Sequence, residues 1–185
     1  MTTLDNVTAH LPHLPLPKPV TPTHLPKQLA IPALDRFNSS PAADLQRTLL
    51  TCLHSHRWAH RLTTHRPYPD LDSLLAASDE AAYDLTPADL AEALAGETLP
   101  SLPEDTYDAA YTALNAAYAA YEAKFGHLFV IHVGDIPAAR TLDRVLEAIR
   151  SRLANDPEEE RAVTADELRH LAKTRLSDTL RGAGL

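Results

Sequence analysis

The sequence predicts an all-α protein, with a single helical domain of about seven to nine helices behind a proline-rich N-terminal arm. Leu and Ala dominate while β-branched residues are few, which favours helices over sheet. Only five of the 185 residues are Gly, and the 15 Pro are concentrated near the N-terminus. With 44% hydrophobic residues, a chain of this length can build one core of its own.

The predicted arm covers residues 1–34 and the predicted helical domain covers residues 35–185. Seven of the 15 prolines lie in the first 35 residues, a density that excludes helix and favours extended, polyproline-like backbone. Spacings such as Pro12 to Pro15 match PxxP ligands, so the arm is either an interaction segment or a plain surface leader.

Local start signals place the first helices of the domain. Ser40 is the predicted cap of a helix that starts at Pro41, and helical spacing then continues until the two prolines of residues 66–69. Asp70 or Asp72 is expected to cap the next helix. The segment 86–89, Thr-Pro-Ala-Asp, predicts a capping box with Pro at the first helical position.

A helix from about Pro103 to Lys124 is predicted to be the longest of the chain. One of its faces carries apolar and tyrosine residues at heptad-like spacing, either as a core stripe with hydroxyls at its rim or as a pocket lining. The stripe consists of Tyr107, Tyr111, Leu114, Tyr118 and Tyr121.

Gly126 is predicted to end that helix, and the apolar run from Phe129 to Val133 is predicted to be extended. A further helix follows over Leu142 to Leu153. The last helix is expected to open at Pro157 and to end near Leu180, with the acidic residues 158–160 complementing its N-terminal dipole.

Arg175 is the one residue that breaks the polarity pattern of this last helix. On a helical wheel, Leu168, Leu171, Ala172 and Leu176 form the apolar arc, and Arg175 falls inside it. An unpaired guanidinium in a dry interior would cost several kcal/mol. Arg175 is therefore expected either in an internal salt bridge or at an anion-binding site.

Charge and composition argue against several classes of protein, among them nucleic-acid-binding and membrane-spanning proteins. The net charge of −8 argues against a nucleic-acid partner, and no apolar segment has the length of a membrane span. Cys52 is the only cysteine, so no intrachain disulfide is possible. His54, His56 and His60 are spaced like a metal cluster, but no local Cys or acid completes the set, and no metal is predicted. The first residues do not resemble a signal peptide, so the cytoplasm is the expected location.

Nine short segments, in the right order over residues 35–181, resemble the OHCU decarboxylase family, whose members decarboxylate 2-oxo-4-hydroxy-4-carboxy-5-ureidoimidazoline to allantoin. The segments are Arg36-Phe37-Asn38, Arg57-Trp58-Ala59, Arg66-Pro67-Tyr68, Leu114-Asn115-Ala116-Ala117-Tyr118, Lys124-Phe125-Gly126-His127-Leu128-Phe129-Val130-Ile131, Arg152-Leu153-Ala154-Asn155-Asp156, Glu160, Glu167-Leu168-Arg169 and Arg175-Leu176. The resemblance implies an all-helical fold that is often dimeric, works without metal or organic cofactor, and takes a small heterocyclic substrate.

Carried over residue by residue, the resemblance implies that Arg175 is the catalytic arginine and that Glu104 is catalytic. It also implies substrate contacts from two further segments. Their residues are Ser101 and Asp105, in a Ser-x-x-Glu-Asp version of the family's Ser-x-x-Glu-Gln motif, and His127, Phe129 and Ile131.

The catalytic His-Pro step of the family is missing. Where the family reads Ala-His-Pro, this chain reads Gly96-Glu97-Thr98. Glu97, Glu104 or His127 could take over proton handling, since burial can raise the pKa of a carboxyl group toward neutrality. Three hypotheses stay open: a cofactor-free decarboxylase-like enzyme, a non-catalytic ligand-binding relative, and an interaction protein that uses the proline-rich arm.

Overall fold

The computed structural model describes residues 33–100, 108–134 and 136–182, and within them it contains eight α-helices and no β-strand. This confirms the predicted all-α class and the predicted range of helix number. The helices are α1 Ala33–Ser39, α2 Ala42–Cys52, α3 His56–Thr64, α4 Leu71–Tyr83, α5 Pro87–Ala95, α6 Asp108–Phe125, α7 Ala138–Arg152 and α8 Pro157–Arg181.

Most predicted caps are present. Thr86 and Asp89 form the reciprocal capping box of α5, Asp70 caps α4, and Asp156 caps α8 through the amides of the two following glutamates. Gly126 follows the end of α6 with a positive φ of 78°, a conformation that favours Gly. Short-range hydrogen bonds decide these positions, which is why the sequence reveals them.

The start of α2 differs from its prediction. The helix begins at Ala42, and the Ser40 hydroxyl donates to the Arg36 carbonyl at 2.6 Å instead of capping it. The reason is α1, a helix that was not predicted from the sequence. The Ser40 hydroxyl binds a carbonyl in the last turn of α1, so it does not cap α2. The helical spacing of apolar residues continues over residues 41–62, but the structure has two helices there, because residues 53–55 separate α2 from α3.

The prediction that the helix ending near Lys124 is the longest is wrong. Helix α6 has 18 residues from Asp108 to Phe125, whereas α8 has 25. The length of α8 has a structural reason: it packs against α1, α2 and α4 and so forms the central support of the larger core.

The larger core gathers buried side chains from α1 to α5 and from α8. Trp58 is fully buried, and its indole nitrogen donates to the Ser78 carbonyl at 3.2 Å. A second core lies between α6, α7 and the segment after Gly126. Its members are Leu114, Tyr118, Tyr121, Phe129, Ile131, Val145, Ala148 and Ile149. Most of the tyrosine stripe that the structure describes is therefore core rather than pocket lining.

Thr86→Ala is expected to destabilise the protein by about 1 kcal/mol, the usual cost of losing a side-chain N-cap. The Thr86 hydroxyl oxygen accepts from the Asp89 amide at 3.3 Å, and the Thr86 amide donates to Asp89 at 2.9 Å. Urea unfolding measures the change. Thr51→Ala, on the exposed side of α2, is the control and should stay within about 0.5 kcal/mol of wild type. Equal losses in both variants would contradict the capping argument.

None of the helices within the described ranges is long and apolar enough to cross a membrane.

Candidate functional site

The centre of the candidate site is an ion pair between Arg175 on α8 and Glu97, just after α5. Arg175 Nη1 lies 2.7 Å from Glu97 Oε1, and Nη2 lies 2.8 Å from Oε2, so the two groups meet end to end in a bidentate pair. The Glu97 side chain is only 4% exposed, whereas that of Arg175 is 37% exposed. The expected inward Arg therefore has an internal salt-bridge partner, and it still reaches solvent.

The surroundings of Arg175 favour its charged form. The hydrogen bonds that Arg175 donates to Glu97 raise the pKa of the Arg175 guanidinium, and burial offsets this only in part. Nη1 also donates to the Cys52 carbonyl at 3.2 Å. The Cys52 side chain is a buried core residue, and burial raises the pKa of its thiol.

One edge of the Arg175 guanidinium is not used within the described ranges. Glu97 and the Cys52 carbonyl take both Nη1 hydrogens and one Nη2 hydrogen, and no described residue accepts from Nε. Arginine carries five N–H donors in a planar fork, and Nε–H and the remaining Nη2–H lie on the same edge. That edge can hold a second carboxylate while Glu97 stays in place.

His54 lies beside this pair, against the backbone of Gly96. A Cβ built on Gly96 would stand 2.3 Å from His54 Nδ1 and 2.4 Å from His54 Cβ, so only Gly leaves room for the imidazole. Its neighbour His56 donates its backbone amide to Glu92 at 3.2 Å and pairs with the same carboxylate through its ring. These contacts join the start of α3 to α5. Among the described residues, no group of three or more His, Cys, Asp or Glu side chains is placed to hold a metal ion.

A buried polar cluster supports the segment after Gly126. Arg152 at the end of α7 pairs with Glu160 in the first turn of α8, with 2.7 Å between Arg152 Nε and Glu160 Oε1. The Tyr121 hydroxyl also donates to Glu160, and Asn155 donates to it at 2.8 Å. All three predicted acidic residues lie in the first turn of α8, where they complement its dipole. Glu158 and Glu159 are exposed there, whereas Glu160 is fully buried and also pairs with Arg152.

The electrostatics of this cluster are those of a buried, well-paired carboxylate. Burial alone raises the pKa of Glu160, but hydrogen bonds from Arg152, Tyr121 and Asn155 outweigh it and hold the pKa below its usual value of 4.5. Burial, together with the bond to Glu160, raises the pKa of Tyr121 to about 12. Both groups keep their ordinary charge at neutral pH.

The cluster fixes a non-helical stretch of backbone. Arg152 Nη1 donates to the Val130 carbonyl at 2.6 Å, and the His132 amide donates to Glu167 at 2.7 Å. The peptide groups of Phe129 and Ile131, on either side of Val130, make no hydrogen bond with any described residue. Residues 128–133 belong to neither a helix nor a strand, so the helix before them ends where the sequence predicts.

The predicted substrate residues of this segment have different surroundings. The Phe129 and Ile131 side chains are buried in the second core, so only their peptide groups remain to contact a ligand. His127 packs edge-on against Tyr121, with 5.6 Å between ring centroids. It also lines a cavity of about 480 Å³ between α5, the end of α6 and the start of α8.

That cavity is a feature separate from the ion pair. Its α5 wall includes Ala95, two residues before Glu97, but its α8 wall is formed by Pro157, Arg161 and Thr164. Eleven residues separate Thr164 from Arg175, which is about 16 Å along a helix. The structure thus brings Arg175 and Glu97 together and places His127 elsewhere.

The remaining predicted site residues, Ser101, Glu104 and Asp105, lie outside the described residues. The structural contacts that sequence reasoning missed are the pairing of Arg152 with Glu160 and the position of His54. Arg152 and Glu160 both stood in segments that carried the family resemblance, so the signal was present, but nothing local showed that the two side chains meet. For His54, the Gly at position 96 was the available clue.

Fold and site together define a small all-α protein whose last helix presents an arginine held by a carboxylate. The profile of the OHCU decarboxylase family matches residues 38–104 and 100–177. The chain therefore belongs to the OHCU decarboxylase family, as the ordered motifs indicated. The two matched segments meet at residues 100–104, close to the point where the sequence departs from the family motif.

Solved structures agree with this fold. The crystal structure of OHCU decarboxylase in the presence of (S)-allantoin has a TM-score of 0.61 and 23% identity, covering 71% of this chain and 96% of that one. The crystal structure of (S)-allantoin synthase has a TM-score of 0.60 and 22% identity over 78% of this chain. The chain spans about half, 53%, of the length of that synthase. Comparison with curated proteins gives no match.

Proposed function

We propose that the protein is a cofactor-free decarboxylase that acts on a ureidoimidazoline or a related nitrogen heterocycle. The observation that carries this proposal is the Arg175 guanidinium, which is fixed from one end by Glu97 and has an edge of two donors that no described residue uses. A carboxylate is the group that such an edge recognises best. The substrate class is taken from the family to which the chain belongs.

The reaction needs little from the protein besides position and charge. When a carboxylate leaves a hydroxyl-bearing ring carbon as CO₂, the electron pair of the broken C–C bond moves into the adjacent C=N system. The hydroxyl proton moves to the ring nitrogen as that carbon becomes a carbonyl, and the carbon of the former C=N accepts one proton. The protein must therefore orient the carboxylate, hold the ring and supply that proton.

Each of these tasks has a candidate group. Arg175 would hold the substrate carboxylate through Nε and Nη2, and Glu97 would keep the guanidinium in place. The unused peptide groups of Phe129 and Ile131 offer donors and acceptors that suit a ureido or ring amide. Glu104 is proposed to hydrogen-bond the substrate, with Ser101 and Asp105 beside it. A cytoplasmic location and a homodimeric state are further proposals.

A second candidate is a relative that binds such a heterocycle without turning it over. It is favoured by one observation: where the family motif has His, this chain has Glu97, and both carboxylate oxygens of Glu97 are engaged by Arg175. A carboxylate bound in this way is poorly placed to exchange protons with a substrate.

Freshly generated OHCU separates the two candidates. An enzyme should produce allantoin of one hand faster than the spontaneous reaction, which circular dichroism records directly. A rate equal to the spontaneous one, with allantoin binding still measurable by calorimetry, would favour the non-catalytic relative. Loss of both rate and binding would overturn the substrate assignment.

A further inference from the structure

The proposed reaction requires a proton donor close to Arg175, and the described residues offer few. Glu97 uses both carboxylate oxygens to bind Arg175. His127 contacts Tyr121 and lines the cavity whose α8 wall is about 16 Å along the helix from Arg175. Among the described residues, the donor must therefore come from another element near the ion pair.

His54 is a candidate proton donor on another element near the Arg175–Glu97 pair. It lies in the extended link between α2 and α3, where Leu53 and Ser55 are both fully buried and His54 is exposed. In extended backbone, successive side chains point to opposite sides, so burial of both neighbours directs His54 outward. Its imidazole then lies over Gly96, directly before Glu97.

Several contacts hold the link on which His54 stands. The Cys52 carbonyl accepts a hydrogen bond from Arg175 itself at 3.2 Å, and the Ser55 side chain caps α3 through the Trp58 amide at 3.3 Å. The residue before the link, Cys52, is thus tied to the candidate site, and the last residue of the link, Ser55, is tied to α3. His56 binds Glu92 on α5 by both its amide and its ring. The backbone that carries His54 is therefore fixed, and its imidazole lies against Gly96, the residue before Glu97.

The carboxylates of this region are both paired. Glu92 binds His56, whose hydrogen bond is the main cause that lowers the pKa of Glu92. Glu97 binds Arg175. Histidine is the side chain that most often transfers protons in enzymes.

We propose that His54 is the catalytic proton donor of this site. This inference rests on the proposed function. As the C–CO₂ bond breaks and its electron pair enters the adjacent C=N system, the imidazolium gives its proton to the carbon of that former C=N and becomes neutral imidazole. Because His54 is exposed, water restores the proton and CO₂ leaves as the second product. Delivery of the proton from one side accounts for a product of one hand.

The test compares His54→Gln and His54→Ala with wild type on freshly generated OHCU, using His60→Gln as the matched control. His60 is an exposed histidine of α3 whose ring, among the described residues, makes a hydrogen bond with Thr64 alone. We expect His54→Gln to lower the catalysed rate about 100-fold or more, the usual contribution of a general acid. Binding of allantoin, measured by calorimetry, should change less than threefold, and added imidazole should restore part of the rate of His54→Ala.

Gly96→Ala gives an independent check because an added methyl group displaces the imidazole without removing it. Its rate should fall like that of His54→Gln, and combining the two changes should cause little further loss. If wild type and His54→Gln turn over OHCU equally fast, the proton-donor assignment is wrong while the proposed function stands. If wild type itself shows no catalysed rate, the proposed function and this inference both fail.

Discussion

Glu160→Gln should lower the free energy of unfolding by about 3–5 kcal/mol, because it removes one partner of a buried ion pair and leaves the other charge unpaired. Arg152 is 7% exposed and Glu160 is completely buried, so water cannot solvate the guanidinium that remains. The amide that replaces the carboxylate would also point donors at Arg152 and Asn155. For a domain of this size, a loss in this range lowers Tm by about 10 °C or more.

Glu159→Gln is the matched control for this experiment. It makes the same chemical change one position earlier on α8, where the side chain is exposed, and should stay within about 0.5 kcal/mol of wild type. Guanidinium unfolding of both variants at neutral pH measures the difference. Similar stabilities for the two variants would show that the Arg152 cluster does not support the fold.

The pH dependence of the stability difference between wild type and Glu160→Gln follows from the sign of the pKa shift of Glu160. Because the pKa of Glu160 is lower in the folded state than its usual 4.5, the stabilisation is fully present above that value. It is lost progressively as the pH falls through 4.5 toward the folded-state pKa. The stability gap between wild type and Glu160→Gln should therefore narrow on acidification, and a gap that widened instead would contradict this charge assignment.

Arg175→Met is expected to abolish recognition of the substrate carboxylate. Charge-assisted hydrogen bonds contribute about 1.5–3 kcal/mol each, so affinity for a carboxylated heterocycle should fall about 30-fold or more. Imidazole-4-carboxylate is a stable probe for calorimetry, and allantoin serves as its uncharged counterpart, for which the loss should be smaller. Arg181→Met, an exposed change at the end of α8, is the control and should bind both probes like wild type.

The same variant also leaves Glu97 buried without its partner, so stability and binding must be separated. We expect Arg175→Met to cost about 2 kcal/mol of stability, below the full cost of breaking a buried pair because Arg175 is partly exposed. Adding Glu97→Gln to Arg175→Met should recover much of that stability without restoring binding of the imidazole-4-carboxylate probe. If the double variant regained binding, Arg175 would have a purely structural role.

The family resemblance was strongest at residues 124–131, and the structure explains what this segment contributes. Lys124 donates to the Leu153 and Asn155 carbonyls at 2.7 Å each, and Arg152 holds the Val130 carbonyl. The motif therefore joins the end of α6 to the end of α7 and fixes the backbone between the two cores. Its residues mainly preserve a scaffold, and the proposed chemistry depends on the less regular region around Gly96.

The sequence alone determined the helical class, most of the caps and the inward position of Arg175. Those features depend on residues three or four positions apart, such as Thr86 with Asp89, or on the period of a single helix face. Tertiary structure alone decided which groups meet. Glu97 lies 78 positions from Arg175, and Tyr121 lies 39 from Glu160. The contact of His54 with Gly96 likewise joins the link between α2 and α3 to the end of α5, and no local pattern encodes which loops the packing of the helices brings together.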